Sequence, residues 1–148
     1  MPLSRLWTSD ESGSASLEFL TVGLILLVPT VYLVLTVSTI QAAAFAVEGA
    51  ARQAARVFVQ APDLASAKAS AQRALAFALA DHGISEKASL AITCKPAACL
   101  TRRAFVTVSV DLDVALPLVP PVLVGDFPLS VPLHATATGQ VSRFWGAG

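Results

Sequence analysis

Apolar positions dominate the chain from Phe19 onward, and no charged residue occurs between Glu18 and Glu48. Roughly 20 apolar residues suffice for a helix to cross a bilayer. Hydrocarbon offers the backbone no hydrogen-bond partner, so such a stretch has to satisfy its own N–H and C=O groups as a helix. The pattern therefore predicts a membrane span over residues 19–40, opening at Phe19 and closing at Ile40. Pro29 removes one donor and crowds the carbonyl four residues back, which predicts a local kink rather than a break. Gly23 is a second soft point. Beyond the span, the sequence from Ala42 to Ala55 is rich in the best helix former and holds a single glycine, so the helix should continue to about Gln60. Glu48 and Arg52 stand one turn apart in the favourable order, and Arg52 and Arg56 share a face that reads as a solvated stripe.

The periodicity then changes twice. Ala61-Pro62 stops the first helix and Asp63 offers an N-cap for a second, in which Leu64, Ala67, Ala71, Leu75, Ala78 and Leu79 recur at helical spacing before Gly83 ends it. Val106, Val108, Val110, Leu112 and Val114 alternate with Thr107, Ser109, Asp111 and Asp113, the period of a half-buried strand. A shorter strand is predicted over residues 89–94, and another over residues 131–141 with His134, Thr136, Thr138 and Gln140 facing outward. The second helix has an apolar stripe to bury, and the downstream sheet is the element available to cover it. The expected class is α+β: a long N-terminal transmembrane helix continuing outside the membrane, and a second amphipathic helix packed on a small antiparallel sheet of about three strands.

Composition narrows the function classes. With 148 residues there is room for one small domain, and 55% hydrophobic against 14% charged residues fits a chain that is partly embedded in lipid. Formal net charge is zero, which gives nucleic-acid binding no support. His82 and His134 have no matched nucleophile or acid at a recognisable spacing and read as solvated, and Asp111 and Asp113 read as an exposed polar face. No phosphate-cradling loop is present, so no enzyme activity, cofactor, metal or small-molecule substrate is expected. Cys94 and Cys99 flank Lys95-Pro96-Ala97-Ala98 at the turn between the first two strands. The alternatives to a disulfide are a metal half-site or a redox pair, but the spacing is not that of a redox motif and no second ligand pair exists. A disulfide is the preferred reading in an oxidising exterior, closing a loop worth only about 2 kcal/mol by chain entropy. Between the last two strands, Leu116, Leu118, Val119, Leu123 and Phe127 lie in a proline-broken apolar loop. That loop either folds back on the core or meets membrane or a partner, and contact with membrane or a partner is the expectation.

Ahead of the span the residues read Gly13-Ser14-Ala15-Ser16-Leu17-Glu18-Phe19. This resembles the processing site of type IV prepilins, closest to the Flp branch, in which an aromatic residue follows the glutamate. The resemblance implies cleavage between Gly13 and Ser14 by a prepilin peptidase, with Glu18 fifth after the cut. A glycine before the scissile bond leaves the backbone extended and unhindered. An ionised carboxylate beside hydrocarbon costs several kcal/mol unless it finds a partner. In the pilin family the implied partner is the freed amine of a neighbouring subunit. The stretch from Gln41 through Glu48 and Arg52 to Arg56, rich in alanine and arginine, is similar to the segment after the anchor in TadE-like minor pseudopilins of the tight-adherence pilus system. The family reading implies a leader at 1–13, a transmembrane and extended helix at 14–60, and an extracytoplasmic head at 61–148. It implies as partners the lipid bilayer, the prepilin peptidase, other pilin or pseudopilin subunits and the pilus assembly platform, at the bacterial cytoplasmic membrane. Arg5 and the amino terminus stand against Asp10 and Glu11, so charge orients the helix weakly. The short N-terminus is placed inside and the longer C-terminal part outside on length. Two alternatives are a membrane-tethered binding module unrelated to pili and a secreted domain cleaved near Ala44, within the cluster Ala42-Ala43-Ala44.

Overall fold

The structure is a computed structural model and describes residues 12–117 and 129–146. Helix α1 spans Ser12–Val59 and helix α2 Leu64–Asp81; strands β1 (Ser89–Lys95), β2 (Phe105–Ala115) and β3 (Ser130–Gln140) follow. The strands form one antiparallel sheet in the order β1-β2-β3. The expected α+β layout is present, with strand limits within a residue of the alternation in the sequence.

The chain divides into two compact units, with the boundary after Thr36. In the first, α1 carries exposed apolar side chains all round, among them Leu17, Leu20, Ile25 and Leu27, and its most apolar window is 0% buried. A helix apolar on every face belongs in an apolar surrounding, and this one is long and apolar enough to cross a membrane. It passes through Pro29 without a break. The hydroxyls of Thr21 and Thr30 donate to the carbonyls of Leu17 and Leu26, each at 2.7 Å, which satisfies them within the helix where lipid would not.

From Val37 onward the same helix belongs to the second unit. Ala43, Ala46, Val47, Ala50, Ala51, Ala54, Ala55 and Phe58 are buried and recur at three- and four-residue spacing, so they form one stripe. Glu48, Arg52 and Arg56 point away from it, with Arg52 donating to Glu48 one turn earlier. Stripe, α2 and sheet make a single core: Ala67, Ala71, Leu75 and Leu79 come from α2, and Val106, Val108, Val110, Leu112 and Val114 from β2. The register places Cys94, Val106 and Gly139 in one cross-strand row and Ile92, Val108 and Ala137 in the next, so all three strands turn the same alternate residues inward. The sequence reading set the limit of the head near residue 60 and gave α2 only the sheet to cover. Residues 37–59 of α1 fall in the same compact unit as α2 and the sheet, and their buried stripe is part of its core. Small side chains explain this: alanines on α1 let helix and sheet backbones approach closely. At Gly139 a Cβ would lie 3.3 Å from the carbonyl oxygen of Ala55 and 3.1 Å from Val59 Cγ1.

Local signals close the remaining elements. Asp63 caps α2, its Oδ1 accepting from the Ser66 amide at 2.9 Å and its Oδ2 from the Ser66 hydroxyl at 2.6 Å. Those two bonds, the hydroxyl's first, hold its carboxyl below the usual carboxylate range. At the other end Gly83 takes φ 69°, and the amides of Gly83 and Ile84 donate back to Ala80 and Leu79, a Schellman ending. The indole N–H of Trp145 donates to the Ala61 carbonyl at 3.1 Å, which ties the C-terminal turn to the α1–α2 connection.

Phe58 is fully buried and Phe77 is 70% exposed. Phe58→Ala should therefore cost about 3–5 kcal/mol in denaturant unfolding and Phe77→Ala less than about 0.5 kcal/mol. Gly139→Ala should lower the thermal midpoint, because the crowding atom on α1 is a backbone oxygen that has little room to yield. Because the Asp63 carboxyl is more acidic folded than unfolded, its contribution is present above the ordinary carboxylate pKa and lost as pH falls below about 4. Asp63→Asn should flatten that part of the stability profile in acid.

Candidate functional site

The candidate site is the mouth of the apolar helix. α1 is described from Ser12, so Gly13, Ser14, Glu18 and Phe19 all lie within it. Gly13 is thus helical, where the sequence suggested extended backbone. Glu18 is exposed, and Phe19 is 77% exposed on the same apolar segment. Along α1 the next charged side chain after Glu18 is Glu48, which lies in the second unit. Glu18 is therefore the one ionisable group on the described apolar segment apart from Tyr32. Residues 14 and 18 stand one turn apart, so a free amine at residue 14 would share a helix face with the Glu18 carboxylate.

Elsewhere the side chains that suggest chemistry are arranged for structure. His134 is exposed, as expected, but it is not alone: its Nδ1 lies 2.6 Å from Asp111 Oδ1, and the Ser89 hydroxyl donates to Asp111 Oδ2 at 3.4 Å. Register explains the row, because Ser89, Asp111 and His134 are direct cross-strand neighbours. Strand pairing hid this in the sequence, since the three are far apart along the chain. In a nucleophilic triad the histidine stands between serine and carboxylate and takes the serine's proton. Here the carboxylate stands in the middle and the hydroxyl has no base, so the row ties three strands together. Asp113 shares the face of Asp111 and is exposed. His82 serves as the C-cap of α2 through its backbone. No group of three metal-ligating side chains occurs among the described residues.

Cys94 and Cys99 form a disulfide, S–S 2.03 Å, across the β1–β2 turn, and both half-buried side chains pack against the core. A disulfide fits a compartment outside the reducing cytoplasm. Of the apolar loop, Leu116 is described: it is half-buried and its amide donates to the Leu129 carbonyl at 3.1 Å. Leu118, Val119, Leu123 and Phe127 lie outside the described residues.

The feature that the sequence reading passed over is the α1 stripe from Ala43 to Phe58. Its signal was available: small or apolar residues at 43, 46, 47, 50, 51, 54, 55 and 58 keep to one face, with Glu48, Arg52 and Arg56 on the other. High alanine content drew attention to helix propensity instead. Comparison with known proteins found no matching family model, no matching curated relative and no matching solved structure.

Proposed function

We propose that the chain is a minor pilin-like subunit of tight-adherence pilus biogenesis, processed after Gly13, anchored by α1 in the cytoplasmic membrane of a bacterium and assembled through that helix. The observation that carries this reading is Glu18: a carboxylate at the mouth of a helix whose apolar segment is otherwise without charge, one turn from Ser14. Removal of residues 1–13 would make Ser14 the first residue, so the new amine and the positive end of the helix would both stand near Glu18. In an assembly the amine of a neighbouring chain meets the same carboxylate, so that charge neutralisation fixes the axial stagger of packed helices. A head that folds directly onto residues 37–59 suits such a subunit, because those residues follow the apolar segment without a linker. The disulfide supports placing the head outside and the short N-terminus inside. The role is one of assembly rather than catalysis, with the prepilin peptidase, other pilin-like helices and the assembly platform as partners.

Sequencing the N-terminus after expression with and without a prepilin peptidase tests this. Ser14 is the expected first residue when the peptidase is present, and Met1 or Pro2 in its presence contradicts processing. A first residue near Phe45 would instead mean secretion. Glu18→Gln should leave the head's unfolding transition unchanged and reduce co-purification with other pilin-like subunits at least several-fold.

A further inference from the structure

Zero net charge conceals a segregation of charge along the sheet. The uncovered face of the sheet ends in the cross-strand row Lys95, Phe105, Gln140. Arg103 is held beside that row with φ 62°: its amide donates to the Val141 carbonyl at 3.1 Å, and its own carbonyl accepts from Gln140 Nε2 at 3.3 Å. The C-terminal turn reaches the same edge, where Arg102 Nε donates to the Trp145 carbonyl at 3.2 Å and the Arg143 guanidinium lies 4.6 Å from the centre of the Phe144 ring. Among the described residues no carboxylate lies within ion-pair distance of Lys95, Arg102, Arg103 or Arg143; the close carboxylate contacts present are Glu48 with Arg52 and Asp111 with His134. Phe105 is 51% exposed, between Lys95 and Gln140 in that row. The next row inward is Thr93, Thr107, Thr138, with the last two hydroxyls 3.0 Å apart, followed by Ala91, Ser109, Thr136.

The three parts of this strip call for different chemistry. Exposed cations with no carboxylate partner are open to an anionic ligand, and guanidinium groups suit carboxylates through paired N–H donors. An exposed ring on a flat sheet offers a stacking platform for an apolar ring face. A row of hydroxyls that donate and accept matches a polyhydroxylated chain. A simple polyanion would use only the cations, and a neutral glycan would leave them unpaired. We propose that this end of the outer sheet face binds an acidic polysaccharide, with its carboxylates on Lys95 and Arg103, a sugar ring on Phe105, and its hydroxyls on the threonine row. The proposal is independent of processing at Gly13.

The test uses the full chain in nanodiscs of phosphatidylcholine, with polygalacturonate as probe, dextran as the neutral control and oligo-dT as the polyanion control. Polygalacturonate should bind, dextran should not, and raised salt should weaken binding. Lys95→Gln with Arg103→Asn, the asparagine chosen because it tolerates positive φ, should weaken it at least about tenfold. Phe105→Ser should weaken it several-fold while leaving its salt dependence unchanged. All three side chains are exposed, so the thermal midpoints should match the parent's. Failure to bind polygalacturonate overturns the proposal. Equal binding of oligo-dT together with indifference to Phe105→Ser overturns it as well, since the surface would then be a general polyanion patch.

Discussion

The head rests on one close contact, the stripe of small side chains on α1 from Ala43 to Phe58 lying against the inner face of the sheet. Alanine contributes little apolar area per residue, so its value here is distance. It lets the helix approach until a glycine is needed opposite, at Gly139, and lets Phe58 and Val47 fill what remains. Beside that contact α2 supplies Ala67, Ala71, Leu75 and Leu79, and β2 supplies a row of valines. Residues 37–59 thus belong to the second unit although they continue the apolar helix along the chain. Residues 19–36 of α1 expose apolar side chains on every side, whereas residues 43–58 are apolar on one side and carry Glu48, Arg52 and Arg56 on the other.

That division also shows what the sequence could convey. The strands were legible because β2 alternates strictly, and α2 because its caps are explicit: Asp63 at one end and Gly83 at the other. The long apolar helix was legible from its uninterrupted apolar run. What escaped was the role of Ala42–Ala55, because alanine marks helix propensity and burial alike and only the position of the charges distinguishes the two. The proline-broken segment around Leu118 and Leu123 yields a compositional expectation and nothing more, since periodicity is absent there.

Candidate chemistry was legible to a different degree. Glu18 stands out in the sequence because charge is so rare around it, and its place in α1 leaves it exposed at the start of the apolar segment. The Ser89–Asp111–His134 row was not legible, since register rather than spacing brings the three together. The same is true of the cationic edge at Lys95 and Arg103: summed over the chain the charges cancel, and only the fold reveals that they are sorted to different ends of the sheet. Composition-level neutrality therefore says little about the local field of a small head.

The central claim is that the second half of the anchor helix is part of the head's core. It is tested most directly by comparing two soluble fragments, residues 37–148 and residues 61–148, in thermal unfolding followed by circular dichroism. The account predicts a cooperative transition for the longer fragment and none for the shorter, which lacks the stripe that the sheet covers. A cooperative transition of similar midpoint in the shorter fragment would contradict it.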